Sequence, residues 1–200
     1  MRYSLLLVML VGCGRTDLAP DAGLPDAGSS DAGTSGCRSV VTPDAGPVRF
    51  AFPEQPCRFT LAQAAAGLGF RYSVIVSDVD PQFIESAPPV NQTCAQVKPG
   101  LGVYVFEKVT DGGNTVYCLC DQGNCMPGVS STGATPGRSE LSFSWDGRSW
   151  SGPSDTNTPK GAPVAPGDYV FSIESVVGDS RTNPVPGAVV HGDFFFTLTP

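Results

Sequence analysis

The 200-residue chain carries 12 Lys and Arg against 19 Asp and Glu, a net charge of −7 with its single histidine neutral. Nucleic-acid binding rests on neutralising phosphates with Lys and Arg, so this balance excludes DNA and RNA as partners, and it gives no general attraction to anionic lipid head groups. Beyond the N-terminal segments about 155 residues remain for folding, the usual size of one domain.

The chain opens Met1-Arg2-Tyr3-Ser4, continues through the apolar run Leu5–Val11, and reaches Gly12-Cys13. One positive charge, a short apolar run and a small residue before cysteine are the layout of a secretory signal, and the run is too short for a hydrocarbon core of about 30 Å. The stretch Leu10-Val11-Gly12-Cys13 resembles the lipobox of bacterial lipoproteins. That resemblance implies that residues 1–12 are removed as a signal peptide and that Cys13, diacylglycerated and N-acylated with chains such as palmitate, becomes the first residue of the mature protein. Several acyl chains on one residue make a stable anchor, whereas a single one binds only marginally. Gly14, and not Asp, follows the cysteine, which in the sorting rule of enteric bacteria permits transfer of a lipoprotein to the outer membrane, on its periplasmic or cell-surface face. Loss of Arg2 with the signal takes the net charge from −7 to −8.

Residues 13–46 read as a tether. Asp-Ala-Gly recurs at Asp21, Asp26, Asp31 and Asp44, among Pro20, Pro25, Ser29, Ser30, Thr34 and Ser35. Such a segment buries too little apolar surface to offset its ordering entropy and is expected to be disordered. Roughly 30 residues of this kind span about 30 Å on average, more with proline and acidic repulsion. A calcium-binding repeat needs glycine-rich nonapeptides in many stacked copies, and the spacing of five between Asp21, Asp26 and Asp31 does not supply them.

Beyond the tether, residues 47–200 are expected to form one all-β domain. Leu141, Phe143 and Trp145 alternate with polar neighbours, as do Tyr169, Phe171 and Ile173, and Phe194, Phe196 and Leu198 alternate with Phe195, Thr197 and Thr199. Period two with one apolar face is the mark of a half-buried strand. Arg49–Phe52, Phe70–Val79, Leu101–Lys108 and Thr115–Cys120 are strand-like by their aromatic and β-branched content. Turn-forming clusters such as Asp111-Gly112-Gly113-Asn114 separate these runs. Thr60–Ala66 is the one helix-like stretch, of a turn or two. Seven strands of this kind predict an antiparallel, immunoglobulin-like β-sandwich.

The segment Phe143-Ser144-Trp145-Asp146-Gly147-Arg148, followed by a variable loop and then Gly161–Phe171, resembles the Trp-Asp-Gly…Pro-Pro-Gly-x-Tyr-x-Phe stretch of bacterial Ig-like modules. Such modules occur in the flagellar hook-capping protein and in the intracellular proteinase-inhibitor family. The resemblance implies a fold and no function. The residues are legible on their own account: Trp145 caps a core, Asp146-Gly147 makes a turn requiring positive φ, and Pro166-Gly167 leads into the next strand.

Of the seven cysteines, Cys37, Cys57, Cys94, Cys118, Cys120 and Cys125 remain after Cys13. An even set in an exported chain predicts a disulfide framework, which could be wired in about 15 ways. Cys118 and Cys120 share one face of a strand, too far apart for an easy mutual bridge. Cys120 reaches Cys125 easily, and a bridge from Cys37 would staple the tether to the domain. The alternative is a soft-metal site for Cu(I) or Zn built from Cys118, Cys120, Cys125 and Met126. Against it, an oxidising compartment consumes thiols, the chain has one histidine, and standard zinc spacing is Cys-x₂₋₄-Cys in pairs.

Catalysis finds little support. His191, in Val190-His191-Gly192-Asp193, reads as a solvated residue before the last strand, and no Gly-x-Ser-x-Gly elbow accompanies it. Asp78 and Asp80 share a strand-end face and read as a loop mouth, with calcium binding as the alternative. The expectation is therefore a non-enzymatic, cofactor-free binding or structural module on a lipid anchor, contacting an envelope protein or surface polymer. Alternatives are soft-metal binding and protease inhibition through the loop Ser151–Ala165.

Overall fold

The alternating runs become two layers of sheet. The computed structural model describes residues 36–43, 46–77, 84–87, 96–98, 101–118, 132–149, 160–179 and 188–200. In chain order these contain β1 (Arg38–Thr42), β2 (Val48–Ala51), β3 (Arg58–Thr60), α1 (Leu61–Ala66), β4 (Leu68–Val76), β5 (Ile84–Ala87), β6 (Gln96–Lys98), β7 (Val103–Asp111), β8 (Asn114–Cys118), β9 (Thr132–Gly133), β10 (Gly137–Trp145), β11 (Gly167–Asp179) and β12 (Ala188–Thr199). All lie within one compact unit, Gly33–Pro200.

The small sheet has the order β10-β4-β2. The large one runs β1-β12-β11-β5-β9, with β3 beside β12, β7 beside β11, and β6 and β8 on β7. Pairing is antiparallel throughout except for β3, which runs parallel to β12 over Thr197–Thr199. The result is the expected all-β, immunoglobulin-like antiparallel sandwich.

Its core is aromatic. Phe70 of β4 stacks on Phe171 of β11 at 5.1 Å between ring centroids, and Phe143 of β10 stacks on the same ring at 4.9 Å. Phe196 of β12 lies 4.7 Å from Phe70, so one phenylalanine of the small sheet touches both central strands of the large one. Each such ring, fully buried, stabilises the fold by roughly 1.5–3 kcal/mol. Trp145, 1% exposed, closes the end of the core against Tyr169 and Phe196 and donates its indole N–H to the Arg148 carbonyl at 2.9 Å. Tyr169 donates its hydroxyl to the Ala165 carbonyl four residues upstream, at 2.8 Å, the corner found in immunoglobulin-like sandwiches.

The turn chemistry is as the sequence predicts. Asp111 pairs with Asn114 across a two-residue loop in which Gly112 and Gly113 have φ of 55° and 97°, and two positive φ values are what a tight hairpin with native twist requires. Gly147 has φ 67°, and a Cβ there would lie 2.8 Å from that of Ala64, so this turn also serves as the seat of α1. The helix begins at a capping box, Gln63 N–H donating to Thr60 Oγ1 and Thr60 N–H to Gln63 Oε1.

Two expectations change. Residues 38–42, assigned to the tether, form β1, paired along β12 from Arg38 opposite Phe195 to Thr42 opposite His191. Most of its side chains are exposed, because an edge strand is held by its backbone, so no buried face marked it in the sequence. The last strand starts at Ala188, five residues before Asp193, which places His191 and Gly192 inside it. Gly192 is a packing notch: a Cβ there would meet Ile173 and Phe52 at 3.1 Å. The short β3, β5, β6 and β9 add to the seven predicted strands, each too brief to show a period in sequence.

Candidate functional site

The start of the folded unit is covalently fastened. Cys37 and Cys57 form a disulfide with a Cα–Cα distance of 5.5 Å, joining the residue before β1 to the residue before β3. β1 is further held by the Arg38 guanidinium, 4.5 Å from the centre of the Phe195 ring. Arg38, Arg58, Asp111 and Asp168 rim an open groove of about 590 Å³ that Val170 and Phe195 help to line.

A second polar constellation lies on the outer face of the large sheet, where the strand register brings it together. Glu174 stands opposite His191, Ser172 opposite Asp193, and Lys108 of β7 opposite Ser172. His191 Nε2 lies 2.9 Å from Asp193 Oδ1 and Nδ1 lies 3.3 Å from Glu174 Oε1. Lys108 Nζ reaches the same Glu174 oxygen at 2.8 Å, and Ser172 donates its hydroxyl to Asp193 Oδ1 at 2.6 Å. The hydrogen bonds to Asp193 and Glu174 raise the imidazole to about 9. The hydrogen bond from His191, aided by Lys108, lowers the Glu174 carboxyl to about 2. Burial pushes Asp193 up, but hydrogen bonds from His191 and Ser172 outweigh it and hold the carboxyl below its ordinary value.

This corrects the reading of His191 as a solvated turn residue. It is half-buried and bridges two carboxylates. The order of contacts is also wrong for a serine triad, which needs a neutral imidazole accepting the serine proton. Here Ser172 donates to Asp193, and His191 is an imidazolium at neutral pH with both nitrogens donating. The cluster is a charge clasp across β7, β11 and β12.

No known protein family, curated protein or solved structure matches the chain.

Other candidate residues divide by location. Cys13, Asp21, Asp26, Asp31, Asp44, Asp78, Asp80, Cys94, Cys120, Cys125 and Met126 lie outside the described residues, as does the side chain of Cys118, whose backbone ends β8. Among the described residues, no three His, Cys, Asp or Glu side chains converge as metal ligands.

Of the loop Ser151–Ala165, residues 151–159 are outside the description, but the residues on either side of them are hydrogen-bonded to one another. Ser149 N–H donates to the Ala162 carbonyl, Gly161 N–H to Ser149, and Val164 N–H to Gly147, at 2.8–3.0 Å. Arg148 Nε donates to the Gly161 carbonyl at 3.0 Å, and Lys160 Nζ pairs with Asp146 Oδ2 at 2.5 Å.

Sequence reasoning missed one interior pair. Tyr72 of β4 and Glu107 of β7, 0% and 5% exposed, meet between the sheets. Burial, reinforced by the Glu107 charge, pushes the Tyr72 hydroxyl far above its usual range and keeps it a donor. Glu107 sits inside the strand run predicted over Leu101–Lys108, but only the register shows that it faces inward.

Proposed function

We propose that the chain is a lipid-anchored protein of the bacterial outer membrane whose sandwich is a non-catalytic binding or structural module. The observation that carries this reading is the Cys37–Cys57 disulfide at the very start of the folded unit. Disulfides persist in exported proteins, which agrees with the signal layout and lipobox of residues 1–13. Its position suits a tethered domain, since strain transmitted along residues 13–36 meets a covalent bridge before it reaches β1. The surface offered to a partner on this reading is the groove between Arg38, Arg58, Asp111 and Asp168, whose mixed charges over an aromatic side chain fit a polar chain such as an envelope polypeptide.

The test is fractionation of cells expressing the full chain. Wild type stays with the membranes after a high-salt wash, and Cys13→Ser moves to the soluble fraction. Retention of Cys13→Ser on the membrane would overturn the anchor. Recovery of the same cross-linked partner by wild type and Arg58→Glu would remove the groove from the proposal.

A second reading, protease inhibition, is favoured by the hydrogen bonds that join residues 147–149 to residues 161–164, on either side of residues 151–159 in the chain. Inhibition of a protease by wild type and its loss on shortening that loop would establish it; no inhibition across serine, cysteine and metalloproteases would end it.

A further inference from the structure

Exposed sheet edges present unpaired N–H and C=O groups, and proteins guard them with short strands, prolines, bulges or inward-pointing charges. One edge of the small sheet is guarded in this way: β2 is four residues long and lies between Pro47 and Pro53. The other is not. β10 pairs with β4 without a register shift from Gly137 opposite Val76 to Trp145 opposite Leu68, and no described residue pairs with its other side. It contains no proline, and its charges, Arg138 and Glu140, lie on the outer face and are opposite in sign.

We propose that β10 is a self-association edge, adding antiparallel to β10 of a second copy so that the two small sheets become one. The pattern of the strand selects the register. About a two-fold axis, inner faces meet inner faces only when the axis passes through a residue. An axis at Arg138 sets two guanidinium groups opposite each other, and an axis at Glu140 sets two carboxylates opposite each other. Like charges directly opposed across a ladder are destabilising. An axis at Leu141 leaves Arg138 opposite Ser144 and Glu140 opposite Ser142.

An axis at Ser139 sets Arg138 opposite Glu140 of the second copy, twice by symmetry. It also places half-buried Leu141 opposite Gly137 of the second copy, next to Leu101, whose side chain lies 3.5 Å from where a Gly137 Cβ would stand. At present Arg138 Nε pairs with Glu140 Oε1 along one strand at 2.5 Å, with side chains 56% and 60% exposed, so both groups remain accessible to a second chain. An isologous contact of this kind closes on itself and gives a dimer, not a fibre.

Sedimentation equilibrium of the full chain in detergent, with Arg138→Glu, Glu140→Arg and the double exchange, tests this. The wild type dimerises reversibly. Each single reversal weakens the dimer by about tenfold or more, because two attractive pairs become repulsive. The double exchange restores dimerisation, because the pairs re-form with signs reversed. Both side chains are exposed, so thermal unfolding verifies that each variant is folded. A wild type that stays monomeric up to its solubility limit overturns the proposal. So does a dimer indifferent to the single reversals, or one that the double exchange fails to restore.

Discussion

Tyr72 of the small sheet donates a 2.5 Å hydrogen bond to Glu107 of the large sheet, the two side chains meeting inside the sandwich. A carboxyl group buried in this position needs hydrogen-bond partners, since a buried polar group without one costs about 1–3 kcal/mol. Tyr72→Phe removes the hydroxyl and leaves the ring packing beside Phe171 intact. The expected loss is about 2–3 kcal/mol in urea unfolding. The double variant Tyr72→Phe/Glu107→Leu should lose less than the sum of its two singles, because each single removes the same hydrogen bond. Strict additivity would show that the pair is not coupled.

The clasp around His191 gives stability a defined pH window. The imidazole titrates near 6.5 when free and at about 9 in the fold, so its contribution is complete below 6.5 and is lost as pH rises through 9. Glu174 moves from 4.5 to about 2, so its contribution is complete above 4.5 and is lost as pH falls through 2. Melting temperature should therefore decline between pH 6.5 and 9.5, and His191→Gln should flatten that alkaline limb. An unchanged alkaline limb in the variant would assign the decline to other groups.

Two glycines with positive φ should respond differently to alanine. At Gly112 the added methyl meets open space, so the cost is the left-handed backbone alone, about 1–2 kcal/mol. At Gly147 it would also press into Ala64 at 2.8 Å, which adds a further overpacking cost of about 1–3 kcal/mol. Chemical denaturation ranks the two; equal losses would mean that α1 yields freely.

Replacing Cys37 and Cys57 together by alanine should cost about 3 kcal/mol, the value for a loop of this size, and should speed amide exchange in β1 ahead of β12. Protein from an oxidising compartment should show no free thiol when denatured. Three titratable thiols with stoichiometric copper or zinc, and destabilisation by a chelator, would instead place a metal at Cys118, Cys120 and Cys125.

The sequence by itself determined the class of fold and much of its core. Phe143, Trp145, Tyr169, Phe171, Ile173, Phe194, Phe196 and Leu198 face inward as their alternation requires, because a strand presents every second residue to one side whatever its neighbours are. Gly112, Gly113 and Gly147 were legible for the same local reason, since a positive φ is a property of the turn itself.

What the tertiary structure decided is everything that depends on which strands lie side by side. β1 has little buried face of its own and exists through its ladder to β12 and the Cys37 bridge, so the sequence placed it in the tether. Lys108, Ser172, Glu174, His191 and Asp193 become one clasp only through the register of β7, β11 and β12. Glu107 points to Tyr72 across a gap that no spacing along the chain encodes. Local periodicity says which side of a strand is wet, and partner choice is settled by the packing of all strands at once.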